Sequence, residues 1–454
     1  MKIAVAGTGY VGLVTGVALA HVGHNVTCVD IDENKVKLMS DGISPIYEQD
    51  LEELMNKNKE RLVYTTDYKN AYKNADVIFV GVGTPERPDG SANLDYIYAV
   101  ADQIAESIEK DTVVVIKSTV PIGTNDQIEA YLNEKVSEGI KVMVASNPEF
   151  LAQGTAVRDT LYASRIVVGV ECSDAKEIMT KVYEPLTKEP YNVPFLLMDR
   201  RSAEMVKYAS NDFLALKISY VNEIANFCEK IGADVSLVTK GMSYDKRIGD
   251  KFLNPGIGYG GSCFPKDTKA LHFLSREYDS EIKTIGASIE VNKNQKIVIF
   301  KKLKERFESL ENLTIGVLGL TFKAGTDDIR EAASLDNVKL LLTENAKVKA
   351  YDPVGIENFQ RFLYQDKKML SYKDSITFYD SIEETITDCD VVLIMTEWPE
   401  VKEVDLNKYS NLMKTPYIYD GRNCYSLEDV SKYNIYYNSI GRKVVDNIKE
   451  KVTL

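Results

Sequence analysis

Lys2-Ile3-Ala4-Val5-Ala6-Gly7-Thr8-Gly9-Tyr10-Val11-Gly12 is the stretch that decides the fold. Residues 2–6 are a short apolar run of the kind that forms a buried strand, and they lead directly into a GxGxxG. Leu13–Val22 continues as a helical stretch, and Asn25–Val29 reads as a second strand ending at Asp30. Strand, glycine turn, helix and a second strand closed by an acid is the context in which GxGxxG signals dinucleotide binding. Gly7 allows the tight turn, Gly9 lets a pyrophosphate approach, and Gly12 lets helix and strand pack closely. The pyrophosphate belongs on the helix N-terminus. The Asp30 carboxylate suits the adenosine ribose hydroxyls and repels a 2′-phosphate, so NAD is expected rather than NADP. One Lys before an apolar run to Ala20 also resembles an export signal, but glycines and polar residues break that run, and cleavage would remove the phosphate loop.

The alternation continues over residues 1–195. Asp76–Val82, Thr112–Lys117, Val142–Ala145 and Ile166–Gly169 are near-continuous apolar runs, as in a parallel sheet covered on both faces. Ligands of such sheets bind beyond the strands' C-terminal ends. Those ends carry Val82-Gly83-Thr84-Pro85, Ser118-Thr119-Val120-Pro121 and Asn147-Pro148-Glu149-Phe150. Pro85 and Pro121 read as turn residues, while Thr119 and Glu149 are expected to face one crevice.

From Leu313 the pattern restarts with Thr314–Leu318, Lys347–Tyr351, Asp390–Met395 and Tyr417–Tyr419. The two ends of the chain look like a weak repeat: Ala75-Asp76 is echoed by Cys389-Asp390, and Val29-Asp30 by Tyr351-Asp352. The second half lacks a GxGxxG and should bind something other than a dinucleotide. Lys323, Arg330 and Arg422 put cations at strand ends, suited to a nucleotide diphosphate. Between the halves, Ser202–Lys230 has apolar residues at helical spacing. Lys207 and Asn211, four apart, share one face. A helix this long, apolar on more than one side, suggests a spine between domains and a dimer surface. The expected fold is α/β: a Rossmann domain over residues 1–195, a helical middle domain over 196–310, and a second Rossmann-like, doubly wound domain over 311–454.

Cys263 lies in Gly258-Tyr259-Gly260-Gly261-Ser262-Cys263-Phe264-Pro265-Lys266-Asp267. The glycines leave little side-chain bulk, so a ligand can approach the backbone. Pro265 fits a helix start. A cysteine just before that start feels the positive end of the helix dipole, and Lys266 adds a cation; both favour the nucleophilic thiolate.

The 454-residue chain carries a formal net charge of −13, which argues against broad nucleic-acid binding or an anionic membrane surface. No apolar stretch reaches the ~18 residues of a spanning helix. The six cysteines are scattered without metal spacing, and the three histidines form no metal or triad pattern, so reduced thiols in a cytoplasm and no metal are expected. An NAD domain, a reactive cysteine and a second nucleotide-like domain point to oxidation through a covalent thiol intermediate. Lys207, Asn211, Glu149 and Asp267 are the residue types needed for oxyanion stabilisation and base work. A two-electron dehydrogenase of a small hydroxy acid leaves Cys263 and the C-terminal half without a role. A non-catalytic nucleotide-sugar binder predicts a degraded set, whereas Cys263, Lys207, Asn211 and Asp267 are all present.

GTGYVGL at 7–13, VGTP at 82–85, STVPIGT at 118–124, NPEFLAQG at 147–154, RIGDKFLNPGIGYGGSCFPKDT at 247–268, LTFKAGTDDIRE at 320–331 and DGRN at 420–423, with the Lys207/Asn211 helix, resemble the UDP-glucose/GDP-mannose dehydrogenase family over nearly the whole length. The resemblance implies two Rossmann-like domains joined by a long central helix, in a homodimer or higher oligomer. It implies a four-electron oxidation of UDP-glucose to UDP-glucuronate with two NAD; the same chemistry on GDP-mannose is the alternative. By position, Cys263 resembles the nucleophile, Lys207 and Asn211 the groups that stabilise the oxyanion or hydroxyl at the reacting carbon, and Asp267 a support for the lysine and a water. Glu149 and Thr119 resemble residues that order the hydrolytic water. Gly7, Gly9, Tyr10, Val11, Gly12, Asp30, Lys35, Thr84, Ser118, Thr119, Glu149, Lys266 and Arg330 fall where relatives hold NAD. Phe150, Leu151, Lys207, Asn211, Phe252, Leu253, Gly260, Lys323 and Arg422 fall where relatives hold the UDP-sugar. Arg247 resembles an arginine donated across the dimer to a neighbour's substrate. Gln153 stands where many relatives carry an acid.

Overall fold

The computed structural model of the chain describes residues 1–448. It divides into two compact units, one of Met1–Ser210 with Lys269–Asp279, the other of Asn211–Thr268 with the residues from Ser280 onward. The 32-residue helix Arg200–Ile231 begins in the first unit and ends in the second. Among the described residues no helix is long and apolar enough to cross a membrane.

The first unit holds an eight-stranded sheet: β1 (Lys2–Ala6), β2 (Asn25–Val29), β3 (Leu62–Thr65), β4 (Val77–Val80), β5 (Thr112–Ile116), β6 (Val142–Ser146), β7 (Ile166–Gly169) and β8 (Phe195–Met198). Its order is β3-β2-β1-β4-β5-β6-β7-β8. Central strands such as β4, β5 and β6 are buried along their whole length, which is why they read as continuous apolar runs. The strands from β3 to β6 run parallel, but β7 lies antiparallel to β6. An apolar run shows that a strand is covered on both faces; it carries no signal of strand direction.

The second unit repeats the plan with β9 (Thr314–Leu318), β10 (Lys347–Tyr351), β11 (Ile376–Phe378), β12 (Val391–Ile394), β13 (Tyr417–Asp420), β14 (Tyr436–Asn438) and β15 (Val445–Asp446), in the order β11-β10-β9-β12-β13-β14-β15. The repeat extends to single hydrogen bonds. Gly7 N–H donates to Val29 O at 2.8 Å, and Gly319 N–H to Tyr351 O at 2.8 Å, with φ of +87° and +88° at the two glycines. Lys2 N–H donates to Asp76 at 2.9 Å, and Thr314 N–H to Asp390 at 2.9 Å. Each of these acids also pairs with a lysine, Lys110 and Lys414 respectively.

Candidate functional site

In the first unit the glycine turn has the properties a dinucleotide requires. The Tyr10–His21 helix starts directly after Gly9 and has no acidic residue in its first turn to repel a phosphate. A Cβ on Gly12 would lie 1.9 Å from Gly7 O, so helix and turn approach as only glycine permits. A Cβ on Gly9 would meet nothing within 4 Å, which leaves open space at the helix end. Tyr10 donates its hydroxyl to Tyr47 O, and Val11 is half-buried in the same first turn. Asp30 Oδ2 accepts the Thr8 N–H at 2.9 Å and the Thr8 hydroxyl at 2.5 Å, and Oδ1 accepts the Asp32 N–H at 3.0 Å. Burial opposes its charge, but these bonds and nearby Lys35 outweigh it and hold the carboxyl below its ordinary value. An ionised acid at the end of β2 and an open helix N-terminus fit NAD.

The loops after β4, β5 and β6 are tied to one another. Ser118 donates its hydroxyl to Val82 O at 2.6 Å, and Thr84 donates to Thr119 O at 2.8 Å. Glu149 Oε1 accepts from Lys207 Nζ at 2.7 Å, and Oε2 accepts the Leu151 N–H at 2.8 Å. Both charged side chains are buried. Phe150 lies beneath two cations, the Arg165 guanidinium at 3.7 Å and Lys207 Nζ at 5.7 Å. Thr119 and Lys207 line one small recess with Ser118, Pro148 and Glu204. Glu204 explains the placement of Lys207, three residues further along the same helix. Its carboxylate accepts the N–H groups of Gly123 and Asn125 at 2.6 and 2.9 Å, at the start of the Thr124–Lys135 helix. Burial pushes this carboxyl up even against those bonds.

In the second unit, Cys263 immediately precedes the helix Phe264–Glu277 and is half-buried. Its carbonyl accepts the Asp267 N–H at 2.8 Å, which makes Cys263 the cap of that helix, and Ser262 Oγ lies 3.7 Å from its sulfur. Asp267 is 1 % exposed. It accepts from Asn211 Nδ2 at 2.7 Å on one oxygen and from Lys266 Nζ at 2.5 Å on the other. Asn211 and Asp267 are thus joined, with Lys266 as the third member. The glycine loop leans on Phe322 and on the 330–331 backbone: Gly261 N–H donates to Arg330 O at 2.8 Å, and a Cβ on Gly260 would lie 2.5 Å from Glu331 O. The Arg330 guanidinium is held by Asp328. Arg422 donates to the carbonyls of Met395 and Phe322, both at 2.9 Å, and Lys323 Nζ stands 5.7 Å from the Phe322 ring. Leu253 is buried beside Phe252, whose φ of +62° turns the chain. Arg247 is exposed and paired only with Asp245 among the bonds described for it.

Four residues that sequence reasoning did not single out complete these surroundings. Asn222 accepts the Gly256 N–H at 2.8 Å, and Gln295 donates to Gly256 O at 2.6 Å. Asn292 accepts the Tyr259 N–H at 2.7 Å and returns a bond to Tyr259 O at 3.0 Å. These buried amides hold the cysteine loop to two helices, and their only sequence signal is a polar side chain on an apolar helix face. Asp212 is buried with neither carboxyl oxygen hydrogen-bonded. Burial and the neighbouring Asp267 charge push it up to about 8. Among the described residues no group of three His, Cys, Asp or Glu could hold a metal ion.

Comparison with known proteins matches three consecutive domains of the UDP-glucose/GDP-mannose dehydrogenase family: the NAD binding domain over residues 1–187, the central domain over 201–294 and the UDP binding domain over 316–427. The UDP-glucose 6-dehydrogenases YwqF and TuaD of Bacillus subtilis are 46% and 43% identical to the chain over 447 residues, covering 98% of it and 98% and 94% of themselves. Among solved structures, a UDP-glucose dehydrogenase from Pyrobaculum islandicum superposes with a TM-score of 0.88 at 34% identity, covering 97% of this chain and 98% of its own.

Proposed function

Because the chain belongs to the UDP-glucose/GDP-mannose dehydrogenase family and is an NAD-dependent oxidoreductase, we propose that it oxidises UDP-glucose to UDP-glucuronate through a thioester on Cys263. The observation that carries the reading is the cysteine at the head of its helix, four residues before an Asp267 joined to Asn211 and Lys266. NAD, when bound at the glycine turn, supplies the hydride acceptor for each of two two-electron oxidations. The first turns the substrate alcohol into an aldehyde and releases one proton. Cys263 Sγ adds to that carbonyl carbon to form a thiohemiacetal, whose oxyanion Lys207 and Asn211 stabilise. The second oxidation leaves a thioester. Water attacks its carbonyl, the C–S bond breaks, the sulfur leaves as thiolate and the carboxylate is released. Glu149, held by Lys207, and Thr119 order that water, while Asp267 orients Asn211. The UDP end rests on Phe252, Leu253, Gly260, Lys323 and Arg422, with Phe150 and Leu151 supporting the sugar. Thr84, Ser118, Lys266 and Arg330 complete the contacts to NAD.

The protein also acts as a homo-oligomer in this reading. Phe213, Tyr220 and Phe227 stand exposed at intervals of seven along the long helix, an apolar stripe of the kind that pairs with a second copy. Exposed Arg247 is then available to a neighbour's substrate. Counting NADH per UDP-glucose consumed tests the chemistry, with GDP-mannose and UDP-galactose run in parallel. Two NADH from UDP-glucose alone supports the proposal; one NADH removes the thioester, and two NADH from another nucleotide sugar moves the substrate. Cys263→Ser should bind UDP-glucose and fail to complete the oxidation.

A further inference from the structure

We propose that Glu48 is a positioning residue for the oxidation: it fixes the far end of the loop that carries Glu149, from a strap that is itself fastened to the helix of the glycine turn. This rests on the role given above to Glu149, the ordering of the hydrolytic water. The loop runs from β6 to the helix Ala156–Leu161. Its near end is anchored in the sheet. The Asn147 N–H donates to Ile116 O at 2.9 Å, its side-chain amide donates to Val167 O at 2.7 Å, and Lys117 donates to its Oδ1 at 3.0 Å. The far end is anchored by a residue 106 positions earlier in the chain. Glu48 Oε2 accepts the Gly154 N–H at 2.7 Å, and Oε1 accepts the Ala156 N–H at 2.8 Å. Thr155 gives its helix no side-chain cap, so the distant carboxylate takes the part that a local Ser or Asp plays elsewhere.

Asp159 builds the turn that Glu48 holds. Its Oδ2 accepts the Ala152 N–H at 2.9 Å and the Thr155 hydroxyl at 2.8 Å. Only Ala152 and Gln153 separate Leu151 from Gly154, and the Leu151 N–H is bound to Glu149 Oε2 at 2.8 Å. A shift at the far end therefore reaches Glu149 over a short span of chain. Glu48 itself sits in the strap of residues 41–50. There the Ser44 N–H donates to Glu52 at 3.0 Å, Asn56 donates to Gly42 O at 2.9 Å, and Tyr47 O accepts the Tyr10 hydroxyl at 2.7 Å. Tyr10 opens the helix whose N-terminus suits the NAD pyrophosphate. Bonds from N–H groups to an ionised carboxylate are stronger than neutral ones, and two of them on one side chain fix both position and orientation. A glutamine in its place has one acceptor oxygen and holds one N–H of the two as Glu48 does. Glu149 has no part in the two hydride transfers, so displacing it slows the last step alone. In that step the water oxygen bonds to the thioester carbon, the C–S electron pair leaves on sulfur, and two protons pass to solvent. Small misplacements of an ordering group are costly to such a step.

The test is rapid-mixing kinetics of the full chain with UDP-glucose and NAD, for the parent, Glu48→Gln and Glu48→Ala, with acid quenching and mass measurement of the chain. Both variants should release two NADH per chain at the parent's rate and then enter a slow steady state, the signature of an accumulating acyl-enzyme. The quenched chain should carry the sugar-nucleotide acyl group on Cys263. In the steady state kcat should fall about threefold in Glu48→Gln and about tenfold in Glu48→Ala, following the number of hydrogen bonds lost. The KM for UDP-glucose should fall with kcat, so that kcat/KM stays near the parent's. A residue that merely supports the fold or the sugar pocket would instead raise KM and leave no acyl group behind. Glu48→Gln keeps the size and one acceptor, so it decides the question even where Glu48→Ala fails to fold. Two NADH from the parent, with no acyl group and no burst in Glu48→Gln, overturns the role of Glu48 and leaves the Cys263 chemistry standing. One NADH from the parent removes the thioester, and the role of Glu48 with it.

Discussion

Lys207 Nζ and Glu149 Oε1 are 2.7 Å apart, and only 3% and 6% of the two side chains remain exposed. Each neutralises the other, so removing one strands a charge in a region of low polarity. Lys207→Met should destabilise the protein by about 3–5 kcal/mol, seen as a lower denaturation midpoint. Adding Glu149→Gln in the same chain should recover a large part of that loss, while turnover stays at least about 100-fold down in both variants. Equal denaturation midpoints for the single and double variants would show that the pair is not coupled.

The second and third glycines of the turn should separate folding from cofactor binding. At Gly9 the backbone has φ of −73°, which alanine adopts, and the new methyl would touch nothing within 4 Å. Gly9→Ala should therefore keep its melting temperature and lose at least about tenfold in NAD affinity, because only the pyrophosphate meets the methyl. Gly12→Ala drives a methyl into the Gly7 carbonyl and should cost about 3 kcal/mol in stability. A melting curve and an NAD titration on each variant distinguish the two effects.

Asp212 should make stability pH-dependent. Its folded value is raised to about 8 from the ordinary 3.8, so the folded chain holds a proton that the unfolded chain has released across that window. Its contribution is intact below the unfolded value and is lost as pH rises toward 8. Asp212→Asn keeps the shape and removes the titration. The variant should gain about 1–3 kcal/mol over the parent at pH 9 and much less at pH 5, as measured by denaturant unfolding at both values.

Asn292→Ala should loosen the cysteine loop without touching the cofactor turn. It leaves the buried N–H and carbonyl of Tyr259 without the partners seen at 2.7 and 3.0 Å, at about 1–3 kcal/mol for each group left unsatisfied. The expected outcome is reduced turnover and faster alkylation of Cys263 by iodoacetamide, with unchanged NAD affinity. A normal alkylation rate argues that the loop is held by other contacts.

The fold was legible wherever burial on both faces wrote a continuous apolar run. Strands β1, β4, β5, β6, β9, β12 and β13 are of this kind; β2 and β10, which alternate buried and more exposed residues, were marked instead by the acid that follows each, and the Asp76/Asp390 and Asp30/Asp352 echoes marked a repeat now visible bond by bond. Strands β3, β8 and β11 were not legible, because each is only three or four residues long and partly exposed, too short a run to stand out. The direction of β7 was hidden for a different reason: local composition is the same for either pairing. At the candidate site, Cys263, Lys207, Asn211 and Asp267 stood out by residue type and spacing. Asn222, Asn292 and Gln295 did not, since a buried amide declares itself only when the loop it holds is in place.

The repeated acid at the end of the second strand shows how one scaffold divides its labour. In the first unit Asp30 receives three hydrogen bonds, from the Thr8 N–H and hydroxyl and the Asp32 N–H. In the second unit Asp352 receives six, from the Leu320 and Thr321 N–H groups, the Thr321 hydroxyl, the Trp398 indole and the Val354 and Gly355 N–H groups. The carboxylate of Asp352 is a rivet, while that of Asp30 keeps more of its acceptor capacity. What differs is not the group or its address but how many of its lone pairs the chain consumes before a visitor arrives. The second unit thus crowds, with indole, hydroxyl and amide donors, the acceptor that its counterpart leaves more open.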